Sequence, residues 1–259
     1  MKKIAHYHLP GLFEFYELYK IFLPLYRAHG DWFYDWADIS SIYGAPSDCL
    51  WGGGRTGFFP ADSNSGTEMR TREVKNLMEE YGISARLTFS NSLLRLEHLS
   101  DKKCNSLCNL FSSDKVKNGV IVHSSLLVDY LKTNFPKLYL VSSTTKVLTD
   151  FADFRNELEN TDFEFVVPDF RLNKTFEQLT TLPQNLKDKT EFLCNECCDI
   201  GCKARKSCYE NVSRKNLGEE VLDHKCASKD AQGGYRFSKA MKNPAFIGIS
   251  DILNTYLPM

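Results

Sequence analysis

NGVIVHSSLLVDYLKTNFPKLYLVSST, residues 118–144, contains a strand pattern, a helix pattern and a second strand pattern in succession. The apolar runs at its two ends (118–124 and 137–144) are continuous rather than alternating. Between them, SSLLVDYLKTNFP (124–136) has helical spacing, and Pro136 prevents its continuation. Continuous apolar strands joined by a helix are typical of a parallel sheet that is covered on both faces.

The same alternation extends along most of the chain. Further strands are predicted at 3–9, 32–39, 84–91, 163–170 and 190–197, and further helices at 12–29, 71–82, 151–161 and 173–182. Seven strand and helix units in 259 residues predict an α/β fold, a single TIM-like (β/α) barrel over residues 1–259. An open doubly wound sheet is the alternative, but no G-x-G-x-x-G follows the first strand and no G-x-x-x-x-G-K-[ST] occurs, which disfavours its nucleotide-binding forms.

Composition gives no sign of disorder or of a membrane protein. Hydrophobic residues make up 42% of the chain, charged residues 25%, and the net charge is −1, which argues against nucleic-acid binding through overall basicity. The first twenty residues lack an uninterrupted apolar segment and a small-residue cleavage site. No stretch approaches the roughly 18 apolar residues of a membrane span. We therefore expect a cytoplasmic protein without a membrane span.

FLCNECCDIGCKARKSCY, residues 192–209, holds five of the nine cysteines. In a reducing cytosol such a group favours metal binding or chemistry over disulfides, and nine is an odd number. Four thiolates complete a tetrahedral zinc site or a four-iron cluster. Four candidates stand among charged residues: Cys198, Cys202, Cys208 and Cys226.

Other assignments within this group stay open. Cys194 lies within the seventh predicted strand and is expected to pack there, Cys197 could replace Cys198, and His224 could join Cys226 in a zinc site. The spacings match neither zinc ribbons, bacterial ferredoxins nor radical S-adenosylmethionine enzymes. Residues 198–244 form a Cys-rich, polar excursion without clear periodicity, and we expect a bound metal to order it.

The cysteine order is also the specific part of a resemblance. EFLCNEC (191–197), three following cysteines, a polar excursion, a fourth cysteine and PAFIGISDILNTYLP (244–258) resemble peptidase family U32, the collagenase-like peptidases and their relatives. The stretches SARLTFSN, LYLVSSTTK and FEFVVPDFRLN are similar to that family's third, fifth and sixth strands. The family's second and third ligands are spaced one residue differently, and its closing KIEGR-like segment is absent. We expect a truncated barrel; alternatively, AFIGIS (245–250) closes it.

The resemblance implies a TIM-like barrel with four cysteines at the end of strand 7. In several members these hold a four-iron four-sulfur (4Fe-4S) cluster, which implies Cys198, Cys202, Cys208 and Cys226 as ligands here. Relatives include proteins for oxygen-independent hydroxylation of quinone precursors and proteins for hydroxylation of RNA bases, and relatives often work as pairs of similar proteins. The implied function is oxygen-independent hydroxylation or a related redox modification of a small-molecule, RNA or protein substrate, with a possible heteromeric partner of the same family. The alternatives are a peptidase or hydrolase with structural zinc, and a non-catalytic, metal-stabilised binding subunit.

Active sites of barrels lie at the carboxyl ends of the strands, so polar residues there are candidate site residues. Glu196 is the candidate for moving protons, because it stands within the cysteine run. WGGGRTG (51–57) is interpreted as a flexible loop or as a substrate contact through Arg55. The remaining candidates by this criterion are His6, His8, Asp38, Ser40, Asn91, His123, Ser143, Thr144, Asp169, Arg171, Asn173 and Asn195.

Overall fold

A computed structural model describes residues 3–54, 67–222, 224–226 and 237–259 of the chain. Its centre is a six-stranded sheet in which each strand pairs in parallel with the next one along the chain. The simple order β1 to β6 is that of a barrel, in which every crossover has the same direction. The strands are β1 Ala5–Pro10, β2 Ala37–Gly44, β3 Ser84–Phe89, β4 Gly119–Val122, β5 Tyr139–Ser142 and β6 Phe165–Val166.

One helix lies between each pair of consecutive strands, and further helices follow the last strand. They are α1 Tyr16–Ala28, α2 Glu68–Tyr81, α3 Lys102–Phe111, α4 Ser125–Asn134, α5 Phe151–Glu159, α6 Phe176–Thr180, α7 Gln184–Lys187, α8 Arg205–Asn216, α9 Phe237–Met241 and α10 Ile249–Asp251. The helices predicted at 12–29, 71–82, 124–136, 151–161 and 173–182 correspond to α1, α2, α4, α5 and α6, with shorter or shifted ends. No helix in this described part is long and apolar enough to cross a membrane.

Alternation along β3 separates two environments. Ala85, Leu87 and Phe89 are fully buried in the apolar layer between the sheet and its helices. Arg86 and Thr88 point to the opposite, concave face, because successive side chains of a strand point to opposite sides. The apolar layer stabilises the fold, and the polar side chains of this strand lie on the concave face.

A buried polar network shows how far the sheet curls. Glu191, which follows β6, lies 3.2 Å from Nε2 of His8 on β1 and 2.6 Å from Nη1 of Arg86 on β3. Arg86 also donates from Nε to the Tyr139 hydroxyl on β5 over 2.7 Å. Side chains from the first strand and from the segment after the sixth therefore meet inside the sheet. The architecture is a curled half-barrel. It confirms the predicted α/β fold and is consistent with a partial TIM-like barrel.

Three strand predictions were wrong in their bounds. Of the predicted strand 163–170, only Phe165–Val166 pair as β6, and Phe170–Leu172 form a 3₁₀ turn. The predicted strand 32–39 begins too early, since Gly30–Trp32 form a 3₁₀ turn and β2 starts at Ala37. The predicted strand 190–197 is reduced to a single bridge between Val166 and Thr190, and residues 194 and 195 form a turn. Residues 32–36 and 191–197 are apolar enough to predict a strand, but they lie outside the sheet's hydrogen-bond ladder.

The segment AFIGIS lies beside this reduced seventh position. Ile247 donates from its backbone N–H to the carbonyl of Cys194 over 3.0 Å. Ile247 also packs in a small apolar cluster with Trp36, and Tyr7 and Phe192 pack against that cluster. The segment therefore contacts both ends of the curled sheet.

Five described helices were not predicted: α3, α7, α8, α9 and α10. Helix α8 falls inside the excursion 198–244, which was expected to lack regular structure without a metal. It has no apolar stripe, and polar contacts hold it in place, so hydrophobic periodicity could not reveal it. Residues 223 and 227–236 of the excursion lie outside the described residues, as does Arg55.

Candidate functional site

A buried ion cluster occupies the carboxyl end of the curled sheet. Asp169, just after β6, is fully buried and accepts from Nε of Arg171 over 2.7 Å. Its second oxygen lies 3.1 Å from Nε of Arg205, the first residue of α8. Arg205, only 2% exposed, places Nη1 2.8 Å from the Glu196 carboxylate. Two arginines thus neutralise two carboxylates in a place from which water is largely excluded.

The Arg205 guanidinium also lies between two aromatic rings. Its carbon is 4.9 Å from the centre of the Phe170 ring and 5.2 Å from that of Tyr209. Cation–π attraction adds to the ion pairs when the cation is desolvated. The start of α8 is therefore fixed over the end of β6.

Glu196 connects this ion cluster to the cysteine segment, residues 192–209. Its Oε1 accepts from the backbone N–H of Cys198 over 2.9 Å. Asn243 crosses the same turn, because its Nδ2 donates to the carbonyls of Glu196 and Cys198 at 3.1 and 2.9 Å. Burial raises the pKa of the Cys198 thiol to about 11, although the Arg205 charge opposes the rise. This thiol is protonated at neutral pH.

The other end of α8 is attached to the carboxyl ends of β2 and β3. Asn91 donates from Nδ2 to the carbonyls of Leu50 and Ser213 at 3.0 and 3.1 Å. The Ser213 hydroxyl accepts from the backbone N–H of Ser92 over 3.1 Å. Asn216 donates to the carbonyl of Gly52 over 2.7 Å. These polar contacts, spread along the helix, hold α8 across the carboxyl end of the half-barrel, which we call its mouth.

The described part of WGGGRTG, residues 51–54, is packed against the end of β3. Trp51 is fully buried, and its Nε1 donates to the carbonyl of His98 over 2.7 Å. A Cβ on Gly53 would overlap the carbonyl group of Ser90, so only glycine allows this close approach.

The predicted site residues fall into two groups. His6 bonds Ser40 over 2.7 Å and Asp38 over 3.2 Å, early in β1 and β2, so these three do not lie at the carboxyl end as expected. The reason is that β1 continues to Pro10 and β2 to Gly44, beyond these residues. His8 contacts Glu191 inside the half-barrel, and burial lowers the pKa of its imidazole to about 3.

The remaining candidates follow the ends of strands or lie in the turn after them. His123 follows β4 and its Nδ1 lies 2.9 Å from Oγ1 of Thr145, the residue after Thr144. Asn173 donates from Nδ2 to the carbonyls of Leu193 and Ala245, at 2.8 and 2.9 Å. Asn195 lies in the turn before Glu196.

The four predicted ligands are not assembled in the described geometry. Cys198, Cys202 and Cys208 are half-buried and Cys226 is exposed, all as free thiols. Cys202 lies near enough to Cys198 to raise its pKa. Among the residues that the structure describes, no three His, Cys, Asp or Glu side chains form a group that could hold a metal ion. The arrangement does not fit a metal or an iron-sulfur cluster as it stands.

Sequence reasoning missed the residues that organise the site. Arg205 stood inside the cysteine run as one cation among several, and Glu191 was considered only as part of a strand. Asn243 and Ser213 lie far along the chain from the residues they contact. A signal existed for Arg205 alone, since a cation beside several thiols and a carboxylate has opposite charges to pair with.

The architecture and its polar mouth define an α/β protein of the TIM-like class, and a solved structure has the same fold. The structure of the U32 peptidase Mk0906 matches with a TM-score of 0.52 over 77% of this chain and 78% of that chain, at 16% identity. No protein-family model and no curated protein matches the chain. The match agrees, at the level of the fold, with the resemblance to U32 peptidases that the cysteine order indicated.

Proposed function

We propose that this chain is a divergent U32-type enzyme whose active site is the carboxyl end of the half-barrel. Its four cysteines, Cys198, Cys202, Cys208 and Cys226, are the ligands of a 4Fe-4S cluster in this proposal. The reaction class is oxygen-independent hydroxylation or a related redox modification. The substrate, a small molecule, an RNA or a protein, and a partner of the same family belong to the same proposal.

One observation carries the proposal: the cysteine segment covers the polar mouth of the half-barrel. Arg205 stands between Cys202 and Cys208 in the chain, and it pairs with Asp169 and Glu196 at the end of the sheet. A cofactor held by this segment would therefore adjoin the face on which TIM-like enzymes carry their active sites. The shared fold with a U32 peptidase gives independent support.

The thiols must move for this proposal to hold, because no metal-binding group exists among the described side chains. Metal binding commonly orders the segment that supplies the ligands and displaces their protons. Cys226 is exposed, so little packing opposes its movement. The candidate catalytic residues around the mouth stay Glu196, Asn195, Asp169, Arg171, Asn91 and His123.

Anaerobic purification with iron, sulfide and zinc analysis tests the proposal directly. We expect about four iron atoms and four sulfides per chain and a broad absorption band near about 400 nm from thiolate-to-iron charge transfer. The variants Cys198→Ala and Cys226→Ala should lose most of the iron. Cys194→Ala is the matched control, because this thiol lies in the same segment but packs against the apolar cluster around Ile247.

Each alternative result would favour a different function or ligand set. A colourless chain with one zinc would favour the U32-type hydrolase with a structural metal. A chain without metal that remains folded would favour a binding subunit. Unchanged iron in both the Cys198 and Cys226 variants would show that the ligand set is wrong.

A further inference from the structure

A cavity of about 190 Å³ lies beneath α8 at the carboxyl ends of β3, β4 and β5. The barrel contributes Ser92, His123 and Thr145 to its wall, and α8 contributes Lys206, Tyr209 and Glu210. Pockets for drug-sized ligands measure about 300–1,000 Å³, so this cavity suits a smaller molecule. None of the four proposed cysteine ligands lines it.

The hydrogen bonds of His123 determine which of its nitrogens carries the proton. Thr145 donates its only hydroxyl proton to Oγ of Ser143 over 2.9 Å. Towards His123 Nδ1, 2.9 Å away, the Thr145 oxygen must therefore accept. Neutral imidazole has a single N–H, so Nδ1 holds it and Nε2 is left as a hydrogen-bond acceptor.

The surroundings keep this imidazole neutral. Burial is the largest cause that lowers the pKa of His123; with the charges of Lys146 and Lys206, and against the opposing charge of Glu157, the pKa falls to about 4. At neutral pH the cavity wall thus offers an unprotonated ring nitrogen. Such a nitrogen favours a ligand that brings its own N–H or O–H group.

Two opposite charges on α8 complete the wall. Lys206 and Glu210 stand four residues apart and line the same cavity. Within the described part of the chain, neither side chain forms an ion pair with the other or with any residue. Both charged side chains line the cavity and can be reached by a ligand within it.

We propose that this cavity binds a small zwitterion of the free α-amino acid class. The carboxylate of the ligand pairs with Lys206, its ammonium group pairs with Glu210, and an ammonium or side-chain proton is donated to Nε2 of His123. Opposite charges on both partners make this arrangement selective, because a ligand with one charge leaves one protein charge without its partner. The site goes beyond the proposed function, since it requires no metal.

NMR of the full-length chain with ¹⁵N-labelled histidine tests the site. Long-range proton–nitrogen correlations should show His123 protonated at Nδ1 and unprotonated at Nε2 at pH 7. Glycine and L-serine should shift the Nε2 signal in a saturable way. Acetate and methylammonium, each with one of the two charges, should bind about tenfold more weakly or worse, as loss of one charged contact implies.

Substitutions test each charged contact of the cavity separately. Lys206→Met and Glu210→Gln should each weaken glycine binding by about tenfold, since each removes one charged contact. Lys203→Met is the matched control, because Lys203 is an exposed lysine just before α8 that does not line the cavity. Cys226→Ala should leave glycine binding unchanged even where it removes iron, so a failure of the cluster proposal is distinguishable.

Three results would overturn the proposal. One is protonation of His123 at Nε2 instead of Nδ1. Another is an Nε2 signal that neither glycine nor serine moves. The third is acetate binding as tightly as glycine, because then the second charge plays no part.

Discussion

Replacing His8 by glutamine should remove a defined part of the acid sensitivity of this fold. His8 lies within the half-barrel with a side chain 16% exposed, and burial lowers its pKa to about 3, helped by the charges of Arg86 and His6. An unfolded histidine has a pKa of about 6.5. Below that pH the histidine binds a proton in the unfolded chain but not in the folded chain. The free energy of unfolding therefore decreases as the pH falls.

The magnitude follows from that difference. The loss begins near the unfolded-state pKa and continues until the pH reaches the folded-state value of about 3. Because pH 5 lies about 1.5 pH units below the unfolded-state pKa, at about 1.4 kcal/mol per unit, His8 alone costs about 2 kcal/mol between pH 7 and pH 5. The precise folded-state pKa hardly affects this figure.

Glutamine preserves the hydrogen bonds but cannot titrate. Its amide can donate to Glu191 and accept from the Ser41 hydroxyl, which lies 2.7 Å from Nδ1 of His8. Urea unfolding of both proteins at pH 7 and at pH 5 measures the difference in free energy. We expect His8→Gln to lose about 2 kcal/mol less than the wild type over this interval.

The comparison of the two pH values removes any constant effect of the substitution on packing. Equal losses in both proteins would refute the reasoning. NMR titration gives an independent check, since the His8 ring should stay neutral down to a pH near its folded-state pKa of about 3. Protonation of that ring near pH 6.5 would contradict the buried network.

Three further predictions concern the fold. Gly53→Ala should destabilise the protein by about 1–3 kcal/mol in urea unfolding through overpacking, whereas Gly30→Ala, with nothing within 4 Å, should not. Arg86→Met should cost about 3–5 kcal/mol because it leaves Glu191 as an unpaired buried charge; recovery of stability in the double variant with Glu191→Gln checks that cause. Ser213→Ala should increase amide hydrogen exchange across α8, and unchanged exchange would mean that other contacts suffice.

The units around residues 118–144 were predictable because local pattern and tertiary environment agree there. Continuous apolar runs became β4 and β5, and the amphipathic stretch between them became α4. At residues 190–197 the local pattern and the tertiary environment disagree. That segment is apolar enough for a strand, but after Thr190 it leaves the ladder and contacts Ile247, a residue more than fifty positions away in the chain.

The site was predictable in its location but not in its contacts. Strand ends indicated Asp169, His123 and Asn91, and all three lie at the carboxyl end of the half-barrel. Asp169 and Asn91 have partners on α8, a polar helix with no periodic signal, whereas His123 contacts Thr145. Arg205 meets Asp169 only because α8 lies across the mouth, and that placement depends on contacts such as Asn91 to Ser213.

By itself, the sequence determined the alternation of strands and helices, the polar strand ends and a dense group of thiols, because these depend on residue type and short-range spacing. The tertiary structure decided the rest. It brought Glu191 to His8 and Arg86, laid α8 over the mouth, and placed Lys206 and Glu210 around a cavity with His123. Such contacts join residues that are distant in the chain, and only the curling of the sheet sets their distances.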